Sequence, residues 1–87
     1  MDLDALLNHY FGSSALDTLD PATIEAGTDR VRIAFGTERE AGRRFALWTV
    51  LHALGDAPAP ATAFKDTRER QAAEAFARAS ALADRPD

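Results

Sequence analysis

The large apolar residues of this chain are concentrated in its first 54 positions, which limits what the chain can fold into. Eighteen of the 21 large apolar residues precede position 55, and only Phe64, Phe76 and Leu82 follow it. The hydrophobic fraction of 46% overstates the core, because 19 of the residues that it counts are alanine. A chain of 87 residues buries only about 60–65% of its unfolded surface. The sequence therefore predicts one small core, built by residues 1–54.

Two helices are predicted at the start of this core from apolar spacing and from helix-capping residues. An apolar stripe at i, i+3, i+4, i+7 and i+8 predicts a first helix over about 3–11, with Asp2 as its N-cap. Asp20 and Pro21 supply an N-cap and a proline at the first helical position. They predict a second helix that runs to Gly36.

The end of this second helix has an alternative interpretation as a strand. Residues 30–35 alternate polar and apolar side chains, as a half-buried strand does. No other segment alternates in the same way, and a lone strand would leave its backbone groups unpaired. Helix is therefore the favoured interpretation of this segment.

A third helix is predicted over about 38–54 and is expected to be the central hub of the fold. Thr37 and Glu40 have the spacing of a capping box, and Gly55 is a stop signal. The residues between them are apolar on nearly every side of the helix. Such a helix must be covered on several faces.

The last third of the chain is predicted to be a linker followed by an alanine-rich helix. The Pro-Ala segment 55–65 favours extended backbone, and Asp66 can cap a C-terminal helix over 66–84. The chain as a whole is predicted to be all-α, a small bundle of three to four helices that forms a single domain over 1–87. The sequence leaves open whether the C-terminal helix packs on its own chain or on another.

Charge is distributed unevenly along the chain and suggests one candidate ligand site. Residues 1–29 carry a net charge of −6, and residues 30–54 carry +3. Arg39, Arg43 and Arg44 lie near the predicted start of the third helix, where guanidinium groups and free N–H groups suit an anion or phosphate. The alternative is that these arginines pair with carboxylates of the chain itself.

Catalytic chemistry is not indicated by any motif in the sequence. His9 and His52 both lie in apolar helical segments, without the spacing of a nucleophile or metal partner. No cofactor or metal site is expected, and the absence of cysteine excludes thiolate chemistry. The apolar third helix and the net charge of −4 disfavour nucleic acid. A cytoplasmic protein with bacterial-like composition and no membrane segment is expected.

The remaining hypothesis is a non-enzymatic module that binds a protein partner or forms a homo-oligomer. The hub helix has more apolar faces than two short neighbours easily cover, and the C-terminal helix buries little area by itself. A small-anion binder is the alternative. The predicted interaction surface comprises Trp48, His52, Phe64, Phe76 and Leu82.

Overall fold

The chain is helical, as predicted, in a computed structural model that describes residues 3–83. Over this range there are five α-helices, one short 3₁₀ turn at Leu16–Thr18 and no strand. The strand interpretation of residues 30–35 is wrong, because these residues continue the second helix. The helices are α1 Leu3–Phe11, α2 Pro21–Thr37, α3 Ala41–Ala53, α4 Pro60–Ala63 and α5 Thr67–Ala83.

The first two helices begin and end at the residues that local chemistry favours. The predicted span of α1 is confirmed, and it ends before Gly12, whose φ of 79° few other residues adopt. The Asp20 carboxylate accepts the N–H of Thr23 at 2.7 Å, and Pro21 is the first residue of α2. The predicted N-cap Asp2 lies outside the described residues.

The third helix begins later than predicted. Thr37 is the last residue of α2, where its hydroxyl donates to the carbonyl of Ile33 at 3.2 Å, so it does not cap α3. Glu38 is extended, and Glu40 is the N-cap of α3. The prediction of a helix over about 38–54 is therefore corrected to Ala41–Ala53.

The predicted linker 55–65 contains a short helix, α4, that begins at Pro60. The start of α5 follows the prediction, because the Asp66 carboxylate accepts the N–H groups of Arg68 at 2.8 Å and Glu69 at 3.1 Å. The structure describes α5 to Ala83, and the predicted last residue, Asp84, lies outside the described range.

The chain divides into two compact units, residues 1–57 and residues 58–87. In the first unit α2 packs against both α1 and α3, which also contact each other. Arg32 on α2 makes ion pairs with Asp29 and with Asp56, the latter beyond the end of α3. That α3 is the hub of a single domain stays a prediction. The buried apolar residues of this unit are Leu6, Phe11, Val31, Phe35, Leu47, Trp48, Val50 and Leu51.

The crossing of α1 and α2 depends on the absence of a side chain at Gly27. A Cβ atom at this position would lie 2.3 Å from Cδ1 of Phe11 and 2.9 Å from the carbonyl oxygen of Tyr10. The Phe11 ring is itself buried. Only glycine therefore allows the end of α1 to lie this close to α2.

The second unit consists of α4 and α5, which contact each other. Ala63, Phe64 and Ala73 are its buried apolar residues. Phe76 and Leu82 are 37% and 68% exposed. No helix in the described part of the chain has the length and apolar character to span a membrane.

Candidate functional site

The three arginines of the predicted anion site lie around the start of α3, and two of them have partners within the first unit. Nε of Arg43 donates to Oε1 of Glu38 at 2.8 Å. The guanidinium carbon of Arg44 lies 4.2 Å from the centre of the Phe35 ring, a cation–π contact. Arg39 is exposed.

The backbone N–H groups at this helix start already donate to carboxylates of the chain. Oε2 of Glu38 accepts from Arg39 N–H at 3.1 Å and from Glu40 N–H at 3.3 Å. The Glu40 carboxylate accepts from Gly42 N–H at 3.1 Å and from Arg43 N–H at 2.6 Å. A soluble anion would have to compete with two tethered carboxylates here.

These capping bonds predict that the fold loses stability in acid. The N–H of Thr23 lowers the pKa of Asp20. The N–H groups of Arg43 and then Gly42 lower the pKa of Glu40. A carboxyl group whose pKa is lower in the folded state contributes its full stability above the unfolded value of about 4, and loses it as pH falls through the folded value. We expect the melting temperature, followed by circular dichroism, to fall below about pH 4.

Glu40→Gln should make this acid transition shallower, because the amide does not titrate. The matched control is Glu25→Gln, which removes an exposed carboxyl group in the second turn of α2. Equal pH profiles for wild type and Glu40→Gln would contradict the assignment of acid sensitivity to this cap.

The two α3 members of the predicted interaction surface lie in an aromatic row. The ring centres of Phe45 and Trp48 are 6.0 Å apart, and those of Trp48 and His52 are 5.2 Å apart, so the three rings lie on one face of α3. Trp48 is only 1% exposed, whereas His52 is half-buried. Trp48 is therefore a core residue and does not present its ring to a partner.

The three members on the second unit also differ in exposure. Phe64 is fully buried and belongs to the core, for the same reason as Trp48. Phe76 and Leu82 remain accessible on α5. The role of the accessible residues in binding stays a prediction.

Small residues extend the accessible apolar surface of α5. Prediction from large apolar residues alone missed this feature, although three alanines and Leu82 follow one another at intervals of 3, 4 and 3 residues. Ala73, which is buried, marks a different side of the helix. We call this surface the α5 stripe; its exposed members are Ala72, Ala75, Ala79 and Leu82.

A cleft of about 530 Å³ lies within the first unit, between the end of α1 and the first half of α2. No motif in the sequence indicated this cleft, because its two walls belong to different helices whose packing the sequence pattern does not give. The rings of His9 and Tyr10 are perpendicular there, with centres 4.7 Å apart. Its polar lining residues are Asn8, His9, Tyr10, Asp20, Thr23 and Arg30.

Metal-ligating side chains do not cluster in threes anywhere among the described residues. No family model, curated protein or solved structure matches this chain.

Proposed function

We propose that this protein is a non-enzymatic helical module that associates with a second copy of itself through the α5 stripe. The observation that carries the proposal is the exposure of Leu82, 68% of whose surface is accessible at one end of an uncharged row. A contiguous exposed apolar surface is typical of an interaction site. Trp48, a predicted member of the interaction surface, is buried and does not belong to the proposed interface.

The spacing of the stripe suits an antiparallel pair of α5 helices. Residues three and four apart lie on the same side of a helix, as in the seam of a coiled coil. Antiparallel alignment centred near residue 77 sets Leu82 opposite Ala72 of the second copy. It also sets Ala75 opposite Ala79, so a large side chain meets a small one at each end and small residues meet in the middle. Such a pairing is self-complementary, as a two-fold interface requires.

The charge distribution favours a second copy over a strongly charged partner. The second unit has five acidic and five basic residues and is neutral overall, whereas the entire net charge of −4 lies in the first unit. Two neutral units therefore approach each other without net repulsion. The stripe itself contains no charged side chain that association would bury.

Self-association is expected to depend on Ala79, which lies in the middle of the stripe. Ala79→Glu places a carboxylate in the seam and should weaken dimerisation at least tenfold, which corresponds to about 1.4 kcal/mol. The measurement is sedimentation equilibrium of the full chain up to about 1 mM, a range in which weak association is populated.

The matched control is Ala81→Glu, which introduces the same charge on the same helix at an exposed position outside the stripe. This variant should dimerise like the wild type. A wild-type chain that remains monomeric across the whole concentration range would refute the proposal, as would equal weakening by both substitutions.

Binding of an anion at Arg39, Arg43 and Arg44 is the less well supported alternative. Arg43 is paired with Glu38, and the Glu40 carboxylate caps the helix start. An anion that binds here would have to replace these contacts, which lowers its affinity.

A further inference from the structure

We infer that the cleft between α1 and α2 is a binding site for a small monocarboxylate with an apolar body, and that Arg30 holds the carboxylate. The cleft volume of about 530 Å³ is within the range of small-molecule sites, about 300–1,000 Å³. This inference is independent of the proposed self-association, because the cleft belongs to the first unit.

Unlike Arg32 and Arg43, Arg30 has no contact within the described part of the chain that satisfies its charge. Arg32 pairs with two aspartates, and Arg43 pairs with Glu38. For Arg30, the described part of the chain contains no ion pair, side-chain hydrogen bond or ring contact. Its neighbours one turn away are alanine, glycine and isoleucine, so α2 itself offers no carboxylate at those positions. The guanidinium group is therefore available to a ligand.

The charges of the cleft favour a single carboxylate over a phosphate. A guanidinium group binds a carboxylate through two parallel hydrogen bonds. Asp20 also lines the cleft, and its pKa is lowered by the N–H of Thr23, so it carries a negative charge at neutral pH. The lining offers one guanidinium group for pairing, and the Asp20 charge repels a dianion more strongly than a monoanion.

The remaining lining accounts for the apolar body of the ligand. Ala22, Ala26 and Gly27 lie along the α2 wall, and Tyr10 and Phe11 lie on the α1 wall. A flat hydrocarbon or aromatic body can contact these small and aromatic residues while its carboxylate reaches Arg30. Benzoate has this combination and is a suitable probe.

The test is an NMR titration of the full chain with benzoate. We expect the amide signals of residues 8–12 and 22–30 to shift with a common Kd on the order of 1 mM, as befits a ligand of nine heavy atoms. Benzyl alcohol, which has the same ring without the charge, should bind at least tenfold more weakly. Inorganic phosphate should cause no saturable shift in these residues.

Arg30→Gln should raise the Kd for benzoate at least tenfold, and circular dichroism checks that the variant is folded. Arg39→Gln is the matched control, because it removes an exposed arginine outside the cleft and should leave the Kd unchanged. The inference would be overturned if benzoate caused no saturable shifts in the cleft residues. It would also be overturned if both variants lost the same affinity for benzoate, or if the shifts were centred on residues 38–44.

Discussion

Leu51→Ala is expected to lower the free energy of unfolding by about 2–5 kcal/mol. Leu51 is completely buried in α3, so truncation removes its apolar contacts and leaves a cavity. The total stability of a domain this small is on the order of 5 kcal/mol. The variant should therefore retain no more than about 3 kcal/mol, and at the upper end of the expected loss it should be largely unfolded at room temperature. Urea titration followed by the fluorescence of Trp48, the only tryptophan in the chain, measures the change.

The matched control for this prediction is Ile33→Ala on α2. Ile33 is 68% exposed, and its truncation should change the free energy of unfolding by no more than about 0.5 kcal/mol. Similar losses in the two variants would mean that α3 does not form the core.

Gly27→Ala is the second substitution with a large expected effect. The added methyl group would lie 2.3 Å from the ring of Phe11 and 2.9 Å from the carbonyl of Tyr10. The ring is buried and the carbonyl belongs to the backbone, so α1 must move away from α2. We expect the free energy of unfolding to fall by about 1–3 kcal/mol, which is measured as a lower urea midpoint.

Gly36→Ala in the same helix should instead raise the free energy of unfolding. No atom outside the local backbone lies within 4 Å of a Cβ built at Gly36. Alanine has a higher helix propensity than glycine, so the free energy of unfolding of this variant should rise by up to about 1 kcal/mol. If Gly27→Ala also gained stability, the close approach of α1 to α2 would be wrong.

Helix boundaries were predictable where a single residue determines them. Gly12 ends α1 with a positive φ, and Asp20 and Asp66 each cap the helix that follows. Each signal acts through hydrogen bonds or backbone conformation within a few residues. The positions of these helix ends can therefore be predicted from the sequence alone.

The start of α3 was not predictable from local pattern, because two caps compete in the same four residues. Thr37 and Glu40 fit a capping box, but Glu40 also serves as an N-cap by itself. The outcome depends on α2, which continues through Thr37 and directs the hydroxyl of Thr37 to its own carbonyl groups. Continuation of α2 through Thr37 thus leaves Glu40 as the N-cap of α3.

The candidate sites were less predictable than the helices, since burial depends on contacts between distant residues. Trp48 and Phe64 are the large aromatic residues that an interface would use, yet both are buried. The cleft brings His9 and Arg30 into one lining, although they lie 21 positions apart in the sequence. Apolar periodicity describes one helix at a time and contains no information on such pairs.

The close approach at Gly27 also affects the energetics of ligand binding in the neighbouring cleft. At this crossing the distance between α1 and α2 is set by close packing of the Gly27 backbone against the buried ring of Phe11 and the backbone carbonyl of Tyr10. A ligand that contacts this wall therefore immobilises few side chains and loses little conformational entropy on binding. The rigidity that makes the crossing intolerant of a single methyl group thus preorganises one wall of the cleft.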